Sequence, residues 1–336
     1  MTATKPRLLV LAGETLFRSF FDAGRVRRLS RSFRWERTAA MSPARLAFLL
    51  GRADALLTTW DSPRFGEELL ELAPRLRMIA HCGGEVKGRF ARGLFERLVI
   101  ANAPEPMARP VAELAVAFLL HAARNLDAHR EALRRPSNAV YASIHLRGTD
   151  ETVLGRRVGL VGFGRIGRAV ADLLRPFGVG LLVYDPYAPR ALARRYGVRF
   201  APLRRVLSWS PYLILAAALT EVTRGMIDAK ALAAMPDGAT LINVGRGGLV
   251  DLEALTREVR RGRLRCALDV TDPLEPLPPR HPLRRARGAL LTPHVAASGS
   301  GVRRAMADSL LDDLERFARR RPVRHRVRAF MLDRMT

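Results

Sequence analysis

The sequence predicts an α/β protein of two domains, each built on a parallel sheet with helices on its faces, the second of them doubly wound. Three observations lead there. Short apolar runs of strand length recur along the chain with helical patterns between them, prolines at 104, 106 and 110 separate two such series, and a glycine-rich turn joins an early strand of the second series to a helix.

The first series comprises Leu8–Ala12, Ala55–Thr58, Arg77–Ala80 and Leu98–Ala101, each adjoining a polar helical segment. Parallel neighbours need long crossovers, and those segments supply them. After the prolines, Val111–Leu126 carries a strong apolar helix pattern. The second series runs Val158–Val161, Leu181–Tyr184, Leu213–Ala216, Thr240–Val244, Leu264–Val270 and Ala289–Leu291, with helices such as Ile166–Phe177 and Leu252–Arg261 between them. No repeat of solenoid period is present.

A chain of 336 residues with 48% hydrophobic content has room for two folded domains. Its most apolar helical stretch, Leu114–Ala123, falls short of the roughly 20 apolar residues a bilayer demands. Lys5-Pro6-Arg7 leads directly into a strand, with no apolar leader before it. Cys82 and Cys266 stand far apart in no metal-ligand spacing, so the expectation is a cytoplasmic, reduced protein without a metal or a membrane segment. The formal charge of +25 raises the question of a polyanion partner. Only Lys5, Lys87 and Lys230 are lysines, however, and the arginines are scattered along the chain. That distribution reads as a compositional bias toward Arg rather than a nucleic-acid site, the run Arg319–Arg326 being the one dense stretch.

Val158-Gly159-Leu160-Val161-Gly162-Phe163-Gly164-Arg165-Ile166-Gly167 is a buried strand entering G-x-G-x-x-G and then a helix. Gly162 suits a tight turn, Gly164 lets backbone approach a pyrophosphate, and Gly167 lets the helix sit close to the sheet, with Arg165 and Ile166 opening that helix. The helix N-terminus offers its amides to phosphate. Asp185 ends the next strand, where a carboxylate accepts ribose hydroxyls and repels a 2′-phosphate. This is the Rossmann fingerprint, and it predicts NAD as cofactor; Arg190, Arg194 and Arg195 keep NADP open.

Further on, Asn243-Val244-Gly245-Arg246-Gly247-Gly248-Leu249-Val250-Asp251 ends a strand with an arginine among glycines. Leu268-Asp269-Val270, Glu275-Pro276-Leu277-Pro278 and Thr292-Pro293-His294-Val295-Ala296 follow. In order and spacing these motifs resemble the D-isomer-specific 2-hydroxyacid dehydrogenase family, closely from about Asn102 to Ala296 and more loosely before. The resemblance implies an NAD-dependent oxidoreductase that interconverts a D-2-hydroxy acid and its 2-keto acid, usually as a homodimer, for which the helix Val111–Leu126 is a candidate element. It implies a flavodoxin-like substrate domain of residues 1–106 and 299–336 and an NAD domain of residues 107–298. Arg246 would fix the substrate carboxylate as a permanently charged planar fork. His294 would transfer the proton, its ordinary pKa suiting that work. Glu275 would stabilise the imidazolium, and Asp269 would meet the nicotinamide carboxamide. Backbone amides at Gly83, Gly84 and Val86 would help hold the substrate.

Three departures from the family pattern stand out. The segment from Asp269 to Glu275 is one residue longer than the common form, so Asp272 is a rival for the carboxylate role; the nineteen positions from Glu275 to His294 favour Glu275. Ala216-Ala217-Ala218-Leu219-Thr220 lacks the His and Pro that members often carry, and His81-Cys82-Gly83-Gly84-Glu85-Val86 fits the substrate loop loosely. Two other readings remain open at this level: a dinucleotide-sensing, corepressor-like protein on the same fold, and a polyanion-binding protein.

Overall fold

A computed structural model of the chain describes residues 5–38, 42–134, 139–147 and 151–335. The chain divides into two compact units, Met1–Met107 with Ala297–Thr336, and Ala108–Ala296.

In the first unit β1 (Arg7–Leu11), β2 (Arg34–Thr38), β3 (Ala55–Thr58), β4 (Met78–His81) and β5 (Val99–Asn102) are parallel and lie in the order β5-β4-β3-β1-β2. This is the flavodoxin-like order. Alternate residues of β1 serve opposite faces, as strand geometry requires. Leu8 and Val10 pack with Phe17, Phe20 and Leu29, while Leu9 and Leu11 pack with Leu56, Ile79 and Phe95. With both faces covered, the central strands are mostly apolar, ending in the buried Thr58 and His81. The helix Ser300–Ala318 returns to the first of these faces through Met306, Leu310 and Leu314, one helical stripe. Arg25 and Arg28 then tie it to the helix Ala23–Ser32 by ion pairs to Asp308, Asp312 and Glu315.

β2 is absent from the sequence expectation for a physical reason. It is an edge strand in which only Thr38 is buried, so Arg34-Trp35-Glu36-Arg37-Thr38 shows no apolar run.

The second unit holds β6 (Arg157–Val161), β7 (Gly180–Tyr184), β8 (Arg199–Phe200), β9 (Tyr212–Leu215), β10 (Thr240–Asn243), β11 (Arg265–Leu268) and β12 (Ala289–Leu291). They are parallel, in the order β12-β11-β10-β9-β6-β7-β8. The direction of winding reverses between β6 and β9, and the crevice beyond their carboxyl ends is where such sheets bind ligands. The chain closes with β13 (Arg326–Val327), which adds antiparallel to β5 in the first unit.

The division between the units, at Met107–Ala108, falls among Pro104, Pro106 and Pro110 as expected, but within a helix, Glu105–Ala123, that contains Pro110. Pro106 stands in its first turn, where amides have no intrahelical partner to lose. One face of this helix (Val111, Ala115, Phe118 and Leu119 among others) is buried, while Leu114 and Leu120 are half-buried and Ala117 is exposed. Exposed large apolar side chains come just after it, at Leu126, Leu133, Tyr141 and Leu146. Among the described residues no helix is long and apolar enough to cross a membrane.

Candidate active site

The cofactor fingerprint sits at the reversal between β6 and β9. Gly162 has φ +93°, and a Cβ there would lie 2.6 Å from the Ala217 backbone, which leaves glycine as the residue that fits. At Gly167 a Cβ would penetrate the Gly162 carbonyl oxygen, so glycine sets how closely the helix Arg165–Leu174 approaches the strand. A Cβ at Gly164, by contrast, would meet nothing within 4 Å, and no side chain caps the helix that starts after it. That open, uncapped helix start, with Arg165 and Ile166 in its first turn, is a fitting cradle for a pyrophosphate.

Asp185 follows β7. Its carboxylate accepts from the Phe163 N–H (2.6 Å), the Tyr187 N–H (2.8 Å) and the Ala188 N–H (3.0 Å), which fixes it beside the glycine turn. A held negative charge there suits ribose hydroxyls and opposes a 2′-phosphate. The Arg190 and Arg195 guanidiniums lie over the Phe200 and Tyr196 rings. These residues fit a nicotinamide dinucleotide.

Arg246 follows β10 and caps the short 3-10 turn Gly247–Leu249. The fully buried Asn243 shapes its backbone: the Asn243 Oδ1 accepts from the Gly245 N–H (3.0 Å) and its Nδ2 donates to the Arg246 carbonyl (2.9 Å). At Gly247 a Cβ would collide with the Thr271 carbonyl carbon, so the arginine turn rests directly on the segment leading to Glu275. Thr271 closes that segment by donating its N–H to Glu275 Oε2 (3.3 Å) and its hydroxyl to the Leu274 carbonyl (2.6 Å).

His294 lies on the turn after β12, and its Nδ1 is hydrogen-bonded to Glu275 Oε1. Asp272 faces Arg224 at 3.9 Å instead. The carboxylate beside the imidazole is therefore Glu275. That hydrogen bond raises the His294 pKa above its ordinary value, against the opposing pull of burial, and the glutamate charge adds to the rise while Arg246 opposes it. Burial alone would raise the Glu275 pKa, but the His294 hydrogen bond and charge, the Thr271 N–H and Arg246 together hold it below the usual carboxylate range. Arg246, Glu275 and His294 thus form one electrostatic group.

Asp269, directly after β11, is 1% exposed, and its carboxylate accepts from the Thr292 hydroxyl and the Val295 and Ala296 amides. In the first unit, the Gly83 N–H donates to the His81 carbonyl (2.8 Å), so that amide is already engaged within its own turn. The Gly84 carbonyl accepts from Asn102 Nδ2 (2.8 Å), and the Val86 side chain is buried in the core, anchoring the loop.

The profile of the D-isomer specific 2-hydroxyacid dehydrogenase NAD binding domain matches residues 116–296. The chain belongs to the D-isomer specific 2-hydroxyacid dehydrogenase family. As a D-2-hydroxyacid dehydrogenase it is an NAD-dependent oxidoreductase, and its relatives agree in class. It is 33% identical over 273 residues to a glyoxylate reductase of Korarchaeum cryptofilum, an alignment covering 79% of this chain and 80% of that one. It is 35% identical over 258 residues to a D-3-phosphoglycerate dehydrogenase of Mycobacterium bovis, covering 73% of this chain but only 46% of that longer protein. The crystal structure of a 2-hydroxyacid dehydrogenase from Ketogulonicigenium vulgare superposes with a TM-score of 0.80 at 27% identity, covering 96% of this chain and 98% of that one.

Two residues that shape the site of this dehydrogenase had no role assigned from sequence, Asn243 and Thr292. An Asn at a strand end two residues before a glycine is a recognisable Asx-turn signal. Thr292 carries no comparable local signal, because its partner Asp269 is 23 residues away.

Proposed function

We propose that this dehydrogenase reduces a small 2-keto acid, with Arg246 holding the substrate carboxylate and His294 delivering the proton. The observation that carries the reading is the Glu275–His294 hydrogen bond beside the Arg246 turn. With Nδ1 engaged by Glu275, Nε2 is the ring nitrogen left for the substrate. In the reducing direction the Nε2 proton passes to the carbonyl oxygen, and the other proton stays on Nδ1, hydrogen-bonded to the Glu275 carboxylate that steadies the imidazolium beforehand. The reduced nicotinamide dinucleotide, when bound, supplies the hydride to the same carbonyl carbon. Gly162, Gly164, Arg165, Ile166, Gly167 and Asp185 would hold it. In the first unit the candidate amide donors to substrate are those of Gly84 and Val86.

A small substrate is favoured by the likeness to a glyoxylate reductase that the chain matches along most of that relative's own length. We also place the enzyme in the cytoplasm, its two cysteines free and buried. Its active form in this reading is a homodimer, supported by the exposed Leu126, Leu133, Tyr141 and Leu146 along one stretch of chain.

The test follows NADH absorbance with glyoxylate, hydroxypyruvate, pyruvate and larger 2-keto acids, for wild type and His294→Ala. Turnover that falls by about 10²- to 10⁴-fold in the variant is the expected result for loss of the acid–base group. Tight NADH binding with no turnover of any keto acid would reject the enzyme reading in favour of a dinucleotide sensor.

A further inference from the structure

We infer that Asp269 and Thr292 are positioning residues for His294, holding its turn in the conformation from which the imidazole reaches Glu275. The inference rests on reading His294 as the proton-transfer group. It is carried by a set of hydrogen bonds that converge on one buried carboxylate. Asp269 Oδ1 accepts from the Thr292 hydroxyl (2.6 Å) and the Val295 N–H (2.8 Å), and Oδ2 accepts from the Ala296 N–H (3.0 Å). The Asp269 backbone carbonyl accepts from the N–H of His294 itself (2.9 Å).

These bonds have a definite task. His294 has φ +53°, in the left-handed region that L-residues with a side chain rarely occupy. Its side chain is about half exposed, so packing alone does not set its direction. Residues on both sides of it, Thr292 and Val295–Ala296, are pinned to one buried acceptor directly after β11, whose own N–H donates to the Asn243 carbonyl (3.0 Å). A carboxylate offers about four acceptor sites, and three are used within the turn. The family resemblance assigns Asp269 to the nicotinamide carboxamide; its hydrogen bonds in this structure give it a second task, that of fixing the catalytic turn.

The two tasks separate by experiment. Thr292→Val keeps the shape and removes one donor, Thr292→Ser keeps the hydroxyl, and Asp269→Asn leaves an amide N–H facing the Ala296 N–H. Three readouts apply to the purified full-length chain: the His294 ring titration by NMR, assigned with His294→Ala; NADH affinity by fluorescence; and kcat. The charged groups that act on His294 are Glu275, Arg246 and Asp269, and Thr292→Val retains all three, so any change in its titration reports geometry.

The expected result for Thr292→Val is a His294 pKa lowered toward the ordinary value, with kcat reduced about three- to tenfold, the scale of one lost hydrogen bond. NADH affinity should stay within about twofold, and Thr292→Ser should restore both readouts, since it restores the bond. Asp269→Asn should lose more, about a hundredfold in kcat, as a misplaced catalytic group does. An unchanged His294 titration and kcat in Thr292→Val would overturn the inference. So would an Asp269→Asn variant in which NADH affinity falls as far as kcat while the His294 titration stays put. If wild type reduces no keto acid, the proposed activity fails, and the NMR titration still decides the positioning role.

Discussion

Replacing Glu275 with glutamine leaves an acceptor of nearly the same shape beside His294 and removes its charge. A charge-assisted hydrogen bond contributes about 1.5–3 kcal/mol and a neutral one about 0.5–1.5 kcal/mol, so the substitution costs the imidazolium roughly 1–1.5 kcal/mol before screening. The His294 and Glu275 side chains are 49% and 33% exposed, so solvent brings the loss to about 1 kcal/mol. At about 1.4 kcal/mol per decade that is roughly a fivefold fall in kcat for keto-acid reduction near neutral pH. The pH dependence is the sharper signature. Wild-type reduction should be flat below the raised pKa of His294 and decline above it, because in the proposed mechanism the protonated imidazole is the reactant. Glu275→Gln should begin that decline at lower pH and approach wild-type kcat in acid. Oxidation of the hydroxy acid needs neutral His294, so its rise should move to lower pH as well. Initial rates in both directions across pH, at saturating cofactor, make the measurement. A uniform loss with an unmoved profile would refute the electrostatic argument and leave Glu275 a purely orienting residue. The same pair contributes to folding with a fixed sign. Its stabilisation is lost as pH rises through the raised pKa of His294, and again as pH falls through the depressed pKa of Glu275.

Arg246→Lys keeps the charge but loses the planar fork. It should lower kcat/KM for the keto acid about ten- to a hundredfold, the scale of charged hydrogen bonds, with NADH affinity little changed; a loss confined to NADH binding would contradict the assignment. Gly167→Ala drives a Cβ into the Gly162 carbonyl oxygen, and such overpacking costs about 1–3 kcal/mol, so a lower melting temperature and weaker NADH binding are expected, and wild-type values for both would disprove the close-approach argument. Leu133→Asp combined with Leu146→Asp places charge on exposed apolar positions. Sedimentation should show a dimer in wild type and a monomer in the variant, and a wild-type monomer would dispose of the homodimer proposal.

The sequence alone determined the features whose physical requirements are local. A positive-φ glycine, an uncapped helix start and a strand-end carboxylate lie within 24 residues, so Gly162, Gly164, Gly167 and Asp185 could be read directly. Arg246 and His294 were legible from their motifs, and Glu275 through the family resemblance, with Asp272 left as its rival. The sheet orders followed only in outline, because β2, β8 and β13 lie at sheet edges and are short or too polar to show an apolar period. Tertiary structure decided what depends on residues distant in sequence. It placed Glu275 rather than Asp272 against the imidazole, because the close stacking of Gly247 on Thr271 sets the path of the intervening segment. It carried a helix through Pro110, since burial of Val111, Ala115 and Leu119 offsets the backbone bond a proline forfeits. Asp269 gathers Thr292, Val295 and Ala296 from more than twenty residues away. No local pattern encodes that convergence, because it exists only once β11 and β12 are paired.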